Sequence, residues 1–160
     1  MDKTVDVIKL TIPAKPEYVS IARLASSGAA CRMGYSFDDI EDIKIAVSEA
    51  CTNAVSHAYK HQSLGSIQIM IECRKHSLSI TVIDTGTSFN LQKVLGELKP
   101  LDTSLSLSQV SEGGLGLFLI DSLMDEVTIS GERGVVVKMI KFLKRDGVER
   151  SADKVSTATD

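Results

Sequence analysis

Three short segments hold the residues that could do chemistry. They are Ser48-Glu49-Ala50-Cys51-Thr52-Asn53-Ala54, Asp84-Thr85-Gly86 and Glu112-Gly113-Gly114-Leu115-Gly116-Leu117. Glu49 and Asn53 are four residues apart, so on a helix they project from one face. An Asn side-chain oxygen is a hard ligand of the kind Mg²⁺ accepts beside water and substrate phosphates. A Glu one turn earlier can take the proton from an attacking hydroxyl or water. His57 stands one more turn along and reads as a hydrogen-bonding residue at the pocket edge, since no second His or Cys lies nearby at metal-ligand spacing.

Asp84 follows an apolar run, and an acidic side chain at a strand end can accept a hydrogen bond from an exocyclic amine such as adenine N6. Gly86, two residues on, lets a flat base approach the backbone. Gly113, Gly114 and Gly116 open an apolar helical run, where exposed backbone N–H groups and the helix dipole favour phosphate. Interior glycines cost a helix about 1 kcal/mol each relative to Ala, so three of them point to a local requirement. Each segment alone also has a plain structural account: a solvated polar ridge, a turn, a flexible loop end. Together they describe a nucleotide pocket with a carboxylate, a metal-ligating amide and a phosphate-cradling loop. Neither a Gly-Lys-Ser/Thr sequence nor an early βαβ unit accompanies the glycines, which excludes the Walker and Rossmann patterns.

The elements that must position these residues follow from periodicity. Residues 5–12 alternate as a strand, and Pro13-Ala14-Lys15-Pro16 breaks it. A helix is expected over 17–33, a turn at Gly34-Tyr35-Ser36-Phe37, and a second helix over 38–59 that Ser36 can cap. In that helix Ile40, Ile43, Val47, Ala50, Cys51, Ala54 and Ala58 form one buried stripe, with Glu49 and Asn53 well around from Val47, Ala54 and Ala58. Strands are expected over 66–73 and 78–83, a helix over 114–124, and a hairpin of 127–130 with 135–142. Between Asp84 and Gly113 there is little periodicity beyond a short helix near 91–98, as in a functional lid. The order βααββ-(lid)-αββ groups the helices, which predicts an α+β two-layer sandwich: one mixed, mostly antiparallel sheet with helices on one face. A single domain over 1–145 and a disordered tail over 146–160 are expected.

Composition sets bounds on function. A formal charge of −3 leaves no basic stripe for nucleic acid. No apolar run approaches the roughly 20 residues of a membrane span, and the N-terminus has no apolar export segment. Cys31, Cys51 and Cys73 are odd in number and widely spaced, which fits neither a disulfide framework nor a zinc pattern; a reducing cytoplasm fits best.

The three segments resemble the Bergerat-type ATP site shared by gyrase, histidine kinases and MutL: Glu49 and Asn53 match its N-box, Asp84 and Gly86 its first glycine box, Gly113, Gly114 and Gly116 its second. Residues 45–55 and 111–117 resemble the anti-sigma factor serine kinases more closely. Pro16-Glu17-Tyr18-Val19 and Cys31-Arg32-Met33-Gly34-Tyr35 point to the branch that controls the general-stress sigma factor of Gram-positive bacteria. The resemblance implies a cytoplasmic homodimer using ATP and Mg²⁺, sequestering a sigma factor of the sigma-B type and phosphorylating a serine on a small anti-anti-sigma protein. By position, it implies Glu49 as general base, Asn53 as Mg²⁺ ligand and ATP contact, Asp84 at adenine, and the glycines at the phosphates. It also implies Arg23 as a sigma contact. The lid departs from the pattern: Thr103, Ser104, Ser106, Ser108 and Ser111 supply hydroxyls, but no Lys or Arg stands between Leu101 and Gly116, so Lys60 is the candidate cation for ATP.

Two other functions compete. A detached histidine-kinase catalytic domain would carry its phosphoaccepting His on a separate helical segment, whereas His57, His61 and His76 all lie inside this domain. A binding module that holds nucleotide without turning it over would have no need of a base at Glu49.

Overall fold

A computed structural model describes residues 4–60, 65–84, 99–100, 114–130 and 136–144. Its elements are β1 (Asp6–Pro13), a 3-10 turn (Pro16–Tyr18), α1 (Val19–Met33), α2 (Phe37–Lys60), β2 (Ser66–Cys73), β3 (Ser77–Asp84), β4 (Lys99–Pro100), α3 (Gly114–Leu123), β5 (Glu126–Ser130) and β6 (Val136–Phe142). The lid apart from residues 99–100, the helix expected near 91–98, the 131–135 turn, Gly86, Gly113 and the tail lie outside the described residues.

The helix ends follow local chemistry. Gly34 closes α1 at φ 94°, a left-handed conformation that costs glycine little, and its N–H donates to Cys31 O at 3.1 Å. The Tyr35 N–H then donates to Ala30 O at 3.2 Å, a second bond across the same helix end. Ser36 Oγ accepts the Asp39 N–H at 3.2 Å, the cap expected from the sequence, and Asp38 and Asp39 place negative charge at the positive end of the α2 dipole.

The sheet order is β1-β2-β3-β6-β5-β4, and every described pairing is antiparallel. Alternation then sorts the side chains. Ile67, Ile69 and Ile71 of β2, Leu78, Ile80 and Val82 of β3, and Val137 and Met139 of β6 share one core with Ile43, Ala46, Val47, Ala50, Cys51 and Ala54 of α2. The small residues of α2 let it lie close to its neighbours, and the helices cover one face of the sheet, as an α+β two-layer sandwich requires.

Two polar residues share the parity of that core face. Asp84 continues the Leu78, Ile80, Val82 series, and Lys141 continues Val137 and Met139. Lys141 is buried and links its own strand to two helices. Its Nζ donates to Leu123 O at the end of α3 and lies 3.5 Å from Asp42 Oδ2 and 3.9 Å from Asp39 Oδ1 at the start of α2. Its own carbonyl accepts the Tyr35 hydroxyl. The far ends of α2 and α3 are therefore tied to β6 through one ammonium group.

Candidate functional site

The candidate site begins with the ridge on α2. Glu49, Asn53 and His57 succeed one another by four residues and are half-buried, while Ala50, Ala54 and Ala58 are buried. Burial of the alanine stripe against the core fixes the helix rotation and so fixes where the ridge points.

α3 meets this ridge at Gly116. A Cβ built there would stand 3.0 Å from Glu49 Oε2, 3.2 Å from Asn53 Nδ2 and 3.4 Å from Asn53 Oδ1. A methyl at this third residue of the helix would crowd the Glu49 and Asn53 side chains, whose flexible ends would have to shift. Gly114 and Gly116 fall in the first turn, where backbone N–H groups lack intrahelical partners and the dipole is positive. A carboxylate, a side-chain amide and a helix N-terminus thus converge.

The fourth component comes from the sheet. Asp84 is the last residue of β3, pairs with Ile67 of β2, and is buried. The sequence places it just after the strand; the ladder includes it, which makes its backbone rigid. His57 Nδ1 lies 2.9 Å from Asp84 Oδ2. One α2 side chain therefore bridges the ridge to the sheet.

Asn53 offers a hard oxygen for a divalent cation. Among the described residues, no group of three or more His, Cys, Asp or Glu could cage a metal. A cation held through Asn53 would keep water and phosphate oxygens as its other ligands, which is the habit of Mg²⁺ and not of a structural metal.

Arg23 lies outside this cluster but touches its base. Its Nη1 donates to Ser48 Oγ at 3.4 Å, next to Glu49 in sequence, and Ser48 Oγ also donates to Lys44 O at 2.8 Å. Ile21 and Leu24, beside Arg23 on α1, are exposed. Lys60 ends α2, one turn from the Asn53–His57 ridge. Sequence reasoning missed the Lys141 tie and β4. Strand parity carries the first signal, since a lysine at an inward position of an apolar strand must find partners.

Residues 12–141 match the family described as the histidine kinase-like ATPase domain. The serine-protein kinase RsbW of Bacillus licheniformis is 51% identical over 150 residues, covering 93% of this chain and 93% of that protein. The proteins of the same name from Bacillus subtilis and Staphylococcus epidermidis are 48% and 47% identical, over 93% and 97% of this chain and 93% and 98% of theirs. Among solved structures, the crystal structure of the RsbU and RsbW domains of a Mycobacterium tuberculosis protein superimposes with a TM-score of 0.61 at 22% identity. That likeness covers 88% of this chain but only 33% of the solved one, and it bears on the fold.

Proposed function

This chain belongs to the histidine kinase-like ATPase domain family and, within it, to the serine-protein kinases RsbW, and from that membership we propose that it transfers the γ-phosphoryl group of ATP to a serine of a small anti-anti-sigma protein and sequesters a sigma factor of the general-stress type. The observation that supports this reading best is the packing of Gly116 against Glu49 and Asn53, which brings a carboxylate, a side-chain amide and a helix N-terminus together.

Glu49 accepts the proton of the substrate serine Oγ–H as that oxygen bonds to the γ-phosphorus. The bond from the γ-phosphorus to the β–γ bridging oxygen breaks, and ADP leaves with that electron pair. Backbone N–H groups of Gly114 and Gly116 hold phosphate oxygens, with Gly113 preceding them. Asp84 accepts from adenine N6, with Gly86 giving the base room. Mg²⁺ fits Asn53 Oδ1 and, when bound, neutralises phosphate charge. Lys60 supplies a cation at the end of the same helix.

Sequestration uses a different face. Arg23, with exposed Ile21 and Leu24, gives α1 a surface of mixed apolar and cationic character suited to a protein partner. The active form is a homodimer in the cytoplasm; β1, an edge strand with Val7 and Ile8 exposed, supports a role in the dimer contact. No described helix is long and apolar enough to cross a membrane.

Incubation with γ-labelled ATP, Mg²⁺ and the antagonist, followed by phosphosite mapping, tests the proposal. Acid-stable phosphoserine on the antagonist is expected. Acid-labile phosphohistidine would place the chain among histidine kinases, and ATP binding without transfer would make it a nucleotide-dependent binding module.

A further inference from the structure

We infer that Ile45 and Leu119 form a docking lip for the phosphoacceptor protein: two exposed aliphatic side chains, one turn from Glu49 on two helices, that seat an apolar residue beside the acceptor serine. The inference rests on the kinase reading above and concerns the substrate that the nucleotide site does not hold. Ile45 stands one turn before Glu49 on α2, so the ridge of His57, Asn53 and Glu49 continues into it at the same four-residue step. Leu119 stands three residues after Gly116 on α3. Ile45 is 43% exposed and Leu119 39%, and neither belongs to the buried core.

The two side chains lie at one level because α3 runs antiparallel to α2. At one end of α3, a Cβ on Gly116 would stand 3.0 Å from Glu49 Oε2 and 3.2 Å from Asn53 Nδ2. At the other end, Lys141 Nζ links Leu123 O to Asp39 and Asp42 at the start of α2. Leu119 falls between Gly116 and Leu123, and Ile45 falls between Asp42 and Glu49. Helix rise carries Ile45 about 6 Å and Leu119 about 4.5 Å from the Glu49–Gly116 contact, in the same direction.

In-line chemistry selects the occupant. Phosphoryl transfer sets the attacking and leaving oxygens on opposite sides of phosphorus. With adenine at Asp84 and the phosphates at Gly114 and Gly116, ADP departs toward the C-terminal half of α2. The serine hydroxyl therefore enters from the N-terminal side, past Glu49, which takes its proton. That approach crosses Ile45 and Leu119. A folded protein that brings a serine within hydrogen-bond reach of the half-buried Glu49 must cover side chains one turn away on both helices. Aliphatic groups covered in this way contribute affinity by leaving water, provided that the partner presents an apolar side chain close to its acceptor serine. A water nucleophile makes no such contact.

The experiment measures initial rates of transfer from Mg²⁺-ATP over a range of antagonist concentrations, for the wild type, Ile45→Ser, Leu119→Ser, the double variant and the conservative Ile45→Leu in the full chain. ATP binding is measured in parallel. Both side chains are exposed, so the fold tolerates the changes. Each serine variant is expected to raise KM for the antagonist about fivefold, and the double variant at least about tenfold, with kcat and ATP affinity within about twofold of wild type. Ile45→Leu keeps KM for the antagonist near the wild-type value. An unchanged antagonist KM in the double variant, a loss of ATP affinity in step with the rise in antagonist KM, or an Ile45→Leu variant as poor as Ile45→Ser overturns the docking lip while leaving the kinase proposal standing. A wild-type chain that transfers no phosphate to the antagonist overturns both.

Discussion

Glu49 and Gly116 lie 67 positions apart in the chain on different helices, yet a methyl at Gly116 would lie 3.0 Å from the Glu49 carboxylate oxygen. The nearest obstacle is the far end of a flexible side chain, so Gly116→Ala leaves α3 intact and displaces Glu49 instead. A helix gains up to about 1 kcal/mol from Gly→Ala, whereas misplacing a reacting group by about 1 Å costs about a hundredfold in rate. Gly116→Ala should therefore melt at or above the wild-type temperature while phosphoryl transfer falls about a hundredfold. Transfer at the wild-type rate would show that the contact does not constrain the carboxylate.

The two ridge residues should separate by readout. Glu49→Gln keeps the shape and removes the proton acceptor, so ATP binding should persist while transfer drops by roughly 10²- to 10⁴-fold. Asn53→Ala removes the oxygen donor, so half-maximal activity should require more Mg²⁺. A Mg²⁺ titration midpoint unchanged in Asn53→Ala would take the metal role away from it.

Lys141→Met should unfold more easily. Lys141 Nζ serves the Leu123 carbonyl and lies near Asp39 and Asp42, and the substitution leaves the largely buried Asp39 carboxylate without its cation. Breaking a buried pair costs several kcal/mol, but the Asp42 side chain is 36% exposed, which reduces the expected loss to about 2 kcal/mol. For a chain this size that is about 6 °C in melting temperature, measurable by circular dichroism. A shift under about 1 °C would mean that the tie contributes no stability.

The cysteines should report the burial pattern and its pH consequence. Cys31 is exposed and Cys51 is buried in the core, where burial pushes its thiol up from 9.0 to about 12. Ellman's reagent should label Cys31 promptly and Cys51 only on unfolding. Burial also pushes the Tyr35 phenol above its ordinary value of 10.0. Both groups hold their protons more tightly folded than unfolded, so their contribution to stability is complete below about pH 9 and is lost as pH climbs towards 12. Melting temperature should fall across that window, and Cys51→Ala should flatten the fall. An equally steep decline in Cys51→Ala would assign it to other groups.

Arg23→Ala tests the separation of the two surfaces. It removes the contact with Ser48 Oγ and one cation beside Ile21 and Leu24, so sigma binding should weaken at least tenfold while KM for ATP stays within about twofold. Loss of both activities together would tie Arg23 to the pocket.

Much of this was legible in the sequence because its signals are local. The apolar spacing of α2, the Ser36 cap and the alternation of β2 and β3 each depend on neighbours in the chain, and the observed elements begin and end within a residue or two of the expected bounds. The four-residue spacing of Glu49 and Asn53 on one helix is local in the same way. What escaped depends on distant partners. The reason for Gly116 is the nearness of another helix, the Lys141 tie joins three segments, and β4 is held by pairing with β5 and not by its own two residues. Tyr35 read as a turn residue, but its hydroxyl reaches a backbone oxygen more than a hundred residues away.

A helix seated in the core at Ile120 and tied at its far end behaves as a lever, and the Lys141 bond to Leu123 O supplies its fulcrum. From Leu123 to Gly116 the arm is about 10 Å, so a tilt of only about 10° would sweep Gly116 through about 2 Å. Travel on that scale would change the approach to Glu49, so a loosened fulcrum would press the arm toward the carboxylate or swing it away.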